Sequence, residues 1–442
     1  MPADAILVKN TRYKARVILR LTRPRDQYEN IEIDGGNGTL IVEPLFREVN
    51  LPNQEQVSLD NEEAWKDHAL TSEHRDILQQ YYAVTVGDQE DQDPSWIAQR
   101  VSQALSYEIG SIHLRDYPSK RLKNVDVCYG VTDAPLPQAD CTPPPHCTPR
   151  DGSMNIVYGW EAAKGQGIRP GEGVGVAVLE RVWDGNKKKG LITKQVLPNQ
   201  QNYQSLEAVN PTAFNYWDDN THAAQSLAVL DAEACQGIVP GATVEPVSSL
   251  WRDAGERWVT NIANGILNAA LHLRPGDILL LEQQGRDDET IVPVETDPAI
   301  WQAIRIATDM GIIVIEPAGN GQGEISLTNG DSGAIIVGCS VANHEHRRAD
   351  ASNWGDVVDC HAWGEIIVFV GANQFFTGTS AASAQIAGVA ALIQSLYKAR
   401  HGQQQFLSPQ QMRAALKHDG FSTAGQGIGV MPNLEKIIAN IL

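Results

Sequence analysis

Residues 277–317 read DILLLEQQGRDDETIVPVETDPAIWQAIRIATDMGIIVIEP. The stretch opens and closes on continuous apolar runs, DILLLE (277–282) and GIIVIEP (311–317). Runs this short and without alternation fit strands covered on both faces, which means a parallel sheet. Between them Asp297 and Pro298 open a helical stretch, AIWQAIRIATDM, and Gly311 follows its end. Two further runs, GVGVAVLE (173–180) and GAIIVG (333–338), belong to the same class. Ser408, Pro409 and Gln411 make a capping-box start for QQMRAALKH, with Gly420 beyond it. Strand–helix alternation from 151 to 442 therefore predicts one α/β domain, a mostly parallel sheet flanked by helices. Ligands of such sheets bind at the carboxyl ends of the strands, so function is to be sought just after the apolar runs.

The chain ahead of this domain reads differently. AILVKN, YKARVILRLT and GTLIVEPLF alternate like strands, while EEAWKDHALTSEHRDILQQYY and PSWIAQRVSQALSYEI read as helices. Residues 1–115 thus predict a small α+β domain. Residues 116–150, which contain APLPQADCTPPPHCTP, are rich in proline and poor in large apolar side chains, and predict an extended linker.

Composition sets the outer limits. The 442 residues are enough for two or three domains, and 42% hydrophobic content can fill a large core. A formal charge of −19 argues against nucleic-acid backbones and anionic membranes as partners. No apolar run reaches the ~18 residues of a membrane helix. The opening MPADAILVKNTRYKAR lacks an apolar leader region, so the sequence-based expectation is a cytoplasmic protein. Six cysteines are too few for a disulfide scaffold, and no paired CxxC knuckles suggest zinc. Free thiols are the default, with a Cys141–Cys147 bridge as the alternative. No metal site is located.

One stretch near the C-terminus concentrates chemistry: FFTGTSAASAQIAGVAALIQSLYKAR. Gly378 turns the backbone after an aromatic run, and Ser380 falls at the start of a helix, near the positive end of its dipole. The plain reading of such a serine is an N-cap. The longer string GTSAASAQIAG resembles the nucleophile segment of the subtilisin-like serine proteases, usually GTS-x-A-x-P-x-x-A-G. Ala384 stands where that family has proline. After GIIVIEP, the run Ala318-Gly319-Asn320-Gly321 resembles the family segment that supplies a side-chain oxyanion donor; its plain reading is a turn asparagine. DSGAIIVGCS, ASNWGDVVDCHAWG and GVMPNLEKII also resemble family segments.

The resemblance implies an acid and a base in the order acid, histidine, serine. VAVLE places Glu180 where the family ends its strand on aspartate, with Asp184 as the fallback. NYWDDNTHAAQSLAVL allows two registers. One makes His222 the base, with Thr221 as helix N-cap and Ala223 and Ala224 in place of the family's Gly and Thr. The other puts Asp219 at that position and leaves no base. The first is preferred, because a retained nucleophile and amide make little sense without a base. His344 and His346 lack the i, i+4 spacing of a helical zinc pair, and His361 has no motif around it.

The expected activity is therefore a serine endopeptidase with catalytic Glu180, His222, Ser380 and Asn320. The alternative is a pseudo-protease that binds peptide without cutting. The family binds substrate as an extended strand, which here implicates Leu281, Glu282, Gln283 and Gly319, with Glu282 facing a basic substrate residue. The implied partner is a polypeptide substrate. The N-terminal domain is either a removable propeptide or a site for a regulatory protein. No cofactor is expected; calcium would follow from the resemblance, at no position the sequence identifies.

Overall fold

In the computed structural model, the described residues are 16–24, 29–34, 39–46, 70–86, 97, 100, 101, 104, 105, 109–115, 153–181, 216–231, 237–252, 258–287, 290–342, 345–369, 373–423 and 425–441. The 116–150 linker, Cys141, Cys147, Asp184 and His344 lie outside them.

The N-terminal part builds an antiparallel sheet from β1 (Arg16–Leu21), β2 (Ile31–Asp34), β3 (Thr39–Pro44), β4 (Tyr81–Val86) and β5 (Ile109–Arg115). The order across it is β2-β3-β4-β1-β5. The expected helix over EEAWKDHALTSEHRDILQQYY is described only as α1, Ser72–Leu78, closed at its start by a capping box from Thr71 to His74. Tyr81 and Tyr82 leave that helix and open β4 instead. YYAVTV is aromatic and β-branched, and both edges of the strand pair in the sheet, one with β1 and the other with β3.

The larger sheet contains β6 (Gly175–Glu180), β7 (Thr243–Ser248), β10 (Ile278–Leu281), β13 (Ile313–Pro317), β14 (Ile335–Ser340), β15 (Cys360–Trp363), β18 (Gly420–Ser422) and β19 (Val430–Pro432). Short hairpins branch from it: β8 (Leu250–Arg252) with β9 (Trp258–Thr260), β11 (Gln284–Asp287) with β12 (Thr290–Pro293), and β16 (Glu365–Phe369) with β17 (Asn373–Thr377). The order is β18-β19-β15-β14-β13-β10-β6-β7. All neighbours are parallel except the β18–β19 pair. The four apolar runs of the sequence are adjacent strands, β14-β13-β10-β6.

Their alternation feeds two cores. Val176, Val178, Ile278, Leu280, Ile313 and Ile315 point to one face. There they meet α2 (Ile156–Gly165), α3 (Tyr216–Leu230), α6 (Gly378–His401), α7 (Pro409–His418) and α8 (Leu434–Ile441). Ala177, Leu179, Leu279, Leu281 and Val314 point to the other face, against α4 (Ile262–His272) and α5 (Pro298–Asp309). The start of α5 is as expected: the Asp297 carboxylate accepts from the N–H groups of Ala299 and Ile300, and Pro298 is its first residue. The N-terminal sheet's buried side chains join this second core. Asn261, the N-cap of α4, also donates from its amide to Leu45 O at 3.0 Å.

The chain leaves β6 through α3 to β7 on one side, whereas β10 lies on the other. The connections therefore diverge between β6 and β10, which opens a crevice at the carboxyl ends of those two strands.

Candidate active site

Glu180 is the last residue of β6, and Glu282 follows directly on β10. Leu179 pairs with Leu281, and the Glu282 N–H donates to Leu179 O at 3.0 Å. The parallel register thus sets two carboxylates side by side at the crevice, both buried. His222 reaches them from α3: its Nδ1 lies 2.7 Å from Glu180 Oε1. One turn on, the Ser226 hydroxyl is 3.4 Å from the same carboxylate oxygen. The imidazole stands edge-on to Phe376, ring centroids 5.2 Å apart at 87°. Gln225 ties α3 to that strand by donating to Phe375 O at 2.9 Å. A neutral ring that donates from Nδ1 to a carboxylate keeps its lone pair on Nε2.

Helix α3 begins at Tyr216, so Thr221 lies inside it and is not the expected N-cap. Asp219 sits on the same helix, one turn before His222.

Ser380 is the third residue of α6, 9% exposed. Gly378 makes the turn into that helix with φ +83°, and its N–H donates to Gly364 O at 2.7 Å. A Cβ there would lie 2.8 Å from Asn320 Oδ1, so the close approach also requires glycine. Asn320 Oδ1 accepts from the Thr379 N–H at 3.0 Å and from the Thr379 hydroxyl at 3.2 Å. With its oxygen pinned this way, the side-chain NH₂ is turned away from Thr379.

A residue that nothing in the sequence singled out braces this loop. Asn353 Oδ1 accepts from the N–H groups of Gly321 and Gly323, both at 3.0 Å. Its Nδ2 donates to Ile291 O at 2.7 Å and Ala318 O at 2.8 Å. Gly319, at φ +93°, would bring a Cβ within 2.9 Å of that Nδ2. Asn353 lay within a quoted family-like segment, ASNWG, but an Asn-Trp pair in a loop carries no signal of four converging hydrogen bonds.

Glu282 does not face outward, as expected of a residue meeting a basic substrate side chain. The first turn of α6 covers it, and Ser383 donates to its Oε1 at 3.3 Å. Burial pushes its carboxyl well above the ordinary range, and the Glu180 charge adds to this; the hydroxyls of Ser380 and Ser383 oppose it. One donor atom each from Glu180, His222 and Glu282 lies within 4.8 Å of the others. Leu281 is buried, and Gln283 donates to the Ser249 hydroxyl at 2.8 Å.

Two more carboxyls are buried as a pair near the end of β13. Glu316 on β13 and Glu295 in the turn before α5 are both buried and share a hydrogen bond. Burial holds Glu295 up at about 7, and burial together with Glu295 pushes Glu316 well above the ordinary carboxyl range. His346 and His361 pair with each other at 3.4 Å, outside the crevice residues. Burial, then His346, pushes His361 down to about 3.

The arrangement offers a hydroxyl at a helix start, a carboxylate-held imidazole and an oriented amide. Residues 221–430 match the Peptidase_S8 model, the subtilase family. The chain is 28% identical to cerevisin of Saccharomyces cerevisiae over 46% of this chain and 33% of that protein. It is 34% identical to a subtilisin-like protease of Coccidioides posadasii over 42% of this chain and 46% of that protein. The chain thus spans less than half the length of either relative. Among solved structures, the prenylagaramide maturation protease PagA aligns at 20% identity, over 65% of this chain and 98% of that one, with a TM-score of 0.47. By these sequence matches, residues 221–430 carry the sequence pattern of the subtilase family.

Proposed function

We propose that this chain is a serine endopeptidase that cuts polypeptides through an acyl-enzyme on Ser380. The observation that carries the reading is the 2.7 Å contact between Glu180 and His222, with Glu282 near both that pair and the Ser380 hydroxyl. In this scheme His222 Nε2 takes the Ser380 proton as the hydroxyl attacks the peptide carbonyl, then returns it to the leaving amine. Glu180 holds the ring and stabilises its charged form. The Asn320 side-chain NH₂ and the Ser380 backbone N–H receive the oxyanion. The Glu180 side chain spans the reach that this β6 end requires, so glutamate serves where the family has aspartate.

The N-terminal sheet shares its core with α4 and α5, on one face of the larger sheet. That supports a folding or regulatory role for residues 1–115 rather than a direct part in the chemistry.

A fluorophosphonate probe tests the reading. Wild type should gain one covalent adduct by intact mass, and Ser380→Ala should gain none. An unlabelled wild type with its melting transition intact would favour a peptide-binding pseudo-protease instead.

A further inference from the structure

The crevice holds one atom that the serine chemistry leaves unused. Glu282 Oε2 is buried and has no hydrogen-bond partner among the described residues. The residue itself is only 5% exposed. A buried polar atom without a partner is unfavourable, by about 1–3 kcal/mol and more when charged. The same carboxyl stands beside Glu180 and His222, with donor atoms of all three within 4.8 Å of one another.

We propose that Glu180, His222 and Glu282 form a binding site for a zinc-type divalent cation, and that filling it turns the serine chemistry off. The second half rests on His222 being the base; the site itself does not.

The donor set is one imidazole and two carboxylates, which suits zinc or cobalt with a coordination position left for water. Calcium takes six to eight oxygens, more than this trio offers. Bonds to zinc of about 2.0–2.2 Å put neighbouring donors of a tetrahedron roughly 3.4 Å apart. Reaching that spacing needs side-chain shifts of about an ångström, which open the 2.7 Å Glu180–His222 contact and bring Glu282 in from within 4.8 Å. A divalent cation between the two buried carboxyls replaces the proton that they otherwise share the site with, neutralises both, and gives Oε2 a partner. A cation between Glu180 and His222 Nδ1 takes the place of the Nδ1 proton; the ring's proton is then carried on Nε2, which leaves no lone pair there to accept from Ser380. Metal removal then restores the base.

The test uses the full chain, freed of metal and titrated with Co²⁺. The expected result is the visible d–d bands of a four- or five-coordinate oxygen–nitrogen site at one equivalent, displaced by Zn²⁺. Glu282→Gln and His222→Ala should each weaken binding at least tenfold, and His401→Ala, at the end of α6, should not. Glu282→Gln keeps the shape of the protonated acid, and thermal melts check that each variant is folded. Binding unchanged in both site variants, or thiolate charge-transfer bands that place the ion on cysteines, would overturn the site. In parallel, Zn²⁺ should slow fluorophosphonate labelling of wild-type Ser380 at least tenfold, reversibly with chelator, but not in Glu282→Gln. Equal labelling rates with the ion bound would overturn the off state. A wild type that never labels would fail the protease reading, while the cobalt titration would still decide the site.

Discussion

Replacing Glu180 by aspartate restores the residue that subtilases usually carry, yet the structure predicts that it lowers activity. The side chain loses one methylene, about 1.5 Å of reach. The 2.7 Å contact with His222 then opens to roughly 4 Å, beyond hydrogen-bond distance. The strand cannot follow, because β6 is held in register on both sides, Glu180 against Ser248 and Leu179 against Leu281. His222 is held as well, through Gln225 to Phe375 and edge-on against Phe376. An unanchored imidazole loses its tautomer and its charge partner, an effect of about 10³–10⁴ in kcat, or roughly 4–5.5 kcal/mol of transition-state stabilisation. The fold should barely notice: one buried methylene is worth about 1 kcal/mol. The assay pairs hydrolysis of a fluorogenic peptide mixture with the rate of fluorophosphonate labelling, and a thermal melt confirms the fold. Glu180→Asp activity equal to or above wild type would refute the claim that this glutamate length positions His222.

Other perturbations have equally definite outcomes. Gly378→Ala forces a side chain into φ +83° and a 2.8 Å approach to Asn320, so labelling of Ser380 should fall at least tenfold while the melting temperature drops a few degrees. Asn320→Ala removes the oriented amide and should cost ~10²–10³ in kcat with KM little changed, read from steady-state peptide hydrolysis. Asp359 is buried and accepts from Arg413 at 2.8 Å, Lys417 at 3.0 Å and the Ile336 N–H at 3.1 Å; Asp359→Ala should cost about 3–5 kcal/mol in denaturant unfolding. Glu295 binds its proton more tightly folded than unfolded, so its contribution is complete below about pH 4.5 and fades as pH rises to about 7. That is worth about 3 kcal/mol, and Glu295→Gln should flatten the loss seen in unfolding between pH 5 and 8.

The parallel core was legible because its physics is local. A strand covered on both faces must be apolar at every position, so DILLLE, GIIVIEP, GVGVAVLE and GAIIVG announce themselves without any knowledge of their neighbours. Helix starts were legible for the same reason, since Asp297 and Ser408 cap within three residues of themselves. The strands Tyr81–Val86 and Ile31–Asp34 were not, because their pairing partners lie far along the chain and supply what the short run lacks.

The site divides along the same line. Gly378, Ser380 and Asn320 sit in short strings whose residue types are dictated by a turn, a helix start and a close approach. Their meeting is visible only in three dimensions, but each string carries its own mark. Asn353 and Glu282 carry none. Asn353 matters because four backbone groups, three from the 318–323 loop and one from β12, converge on one amide. Glu282 looks from the sequence like a strand-end glutamate facing solvent, the commonest fate of that residue type. It is buried because the register of β6 and β10 sets it beside Glu180, and because the first turn of α6, rich in alanine and serine, packs over it with Ser383 on its carboxyl. A glutamate with no bulky neighbour to shield it would have stayed in water. Here the small residues that let α6 lie close to the sheet also shut a carboxyl inside the crevice. The packing that positions the serine therefore creates the buried acid beside it.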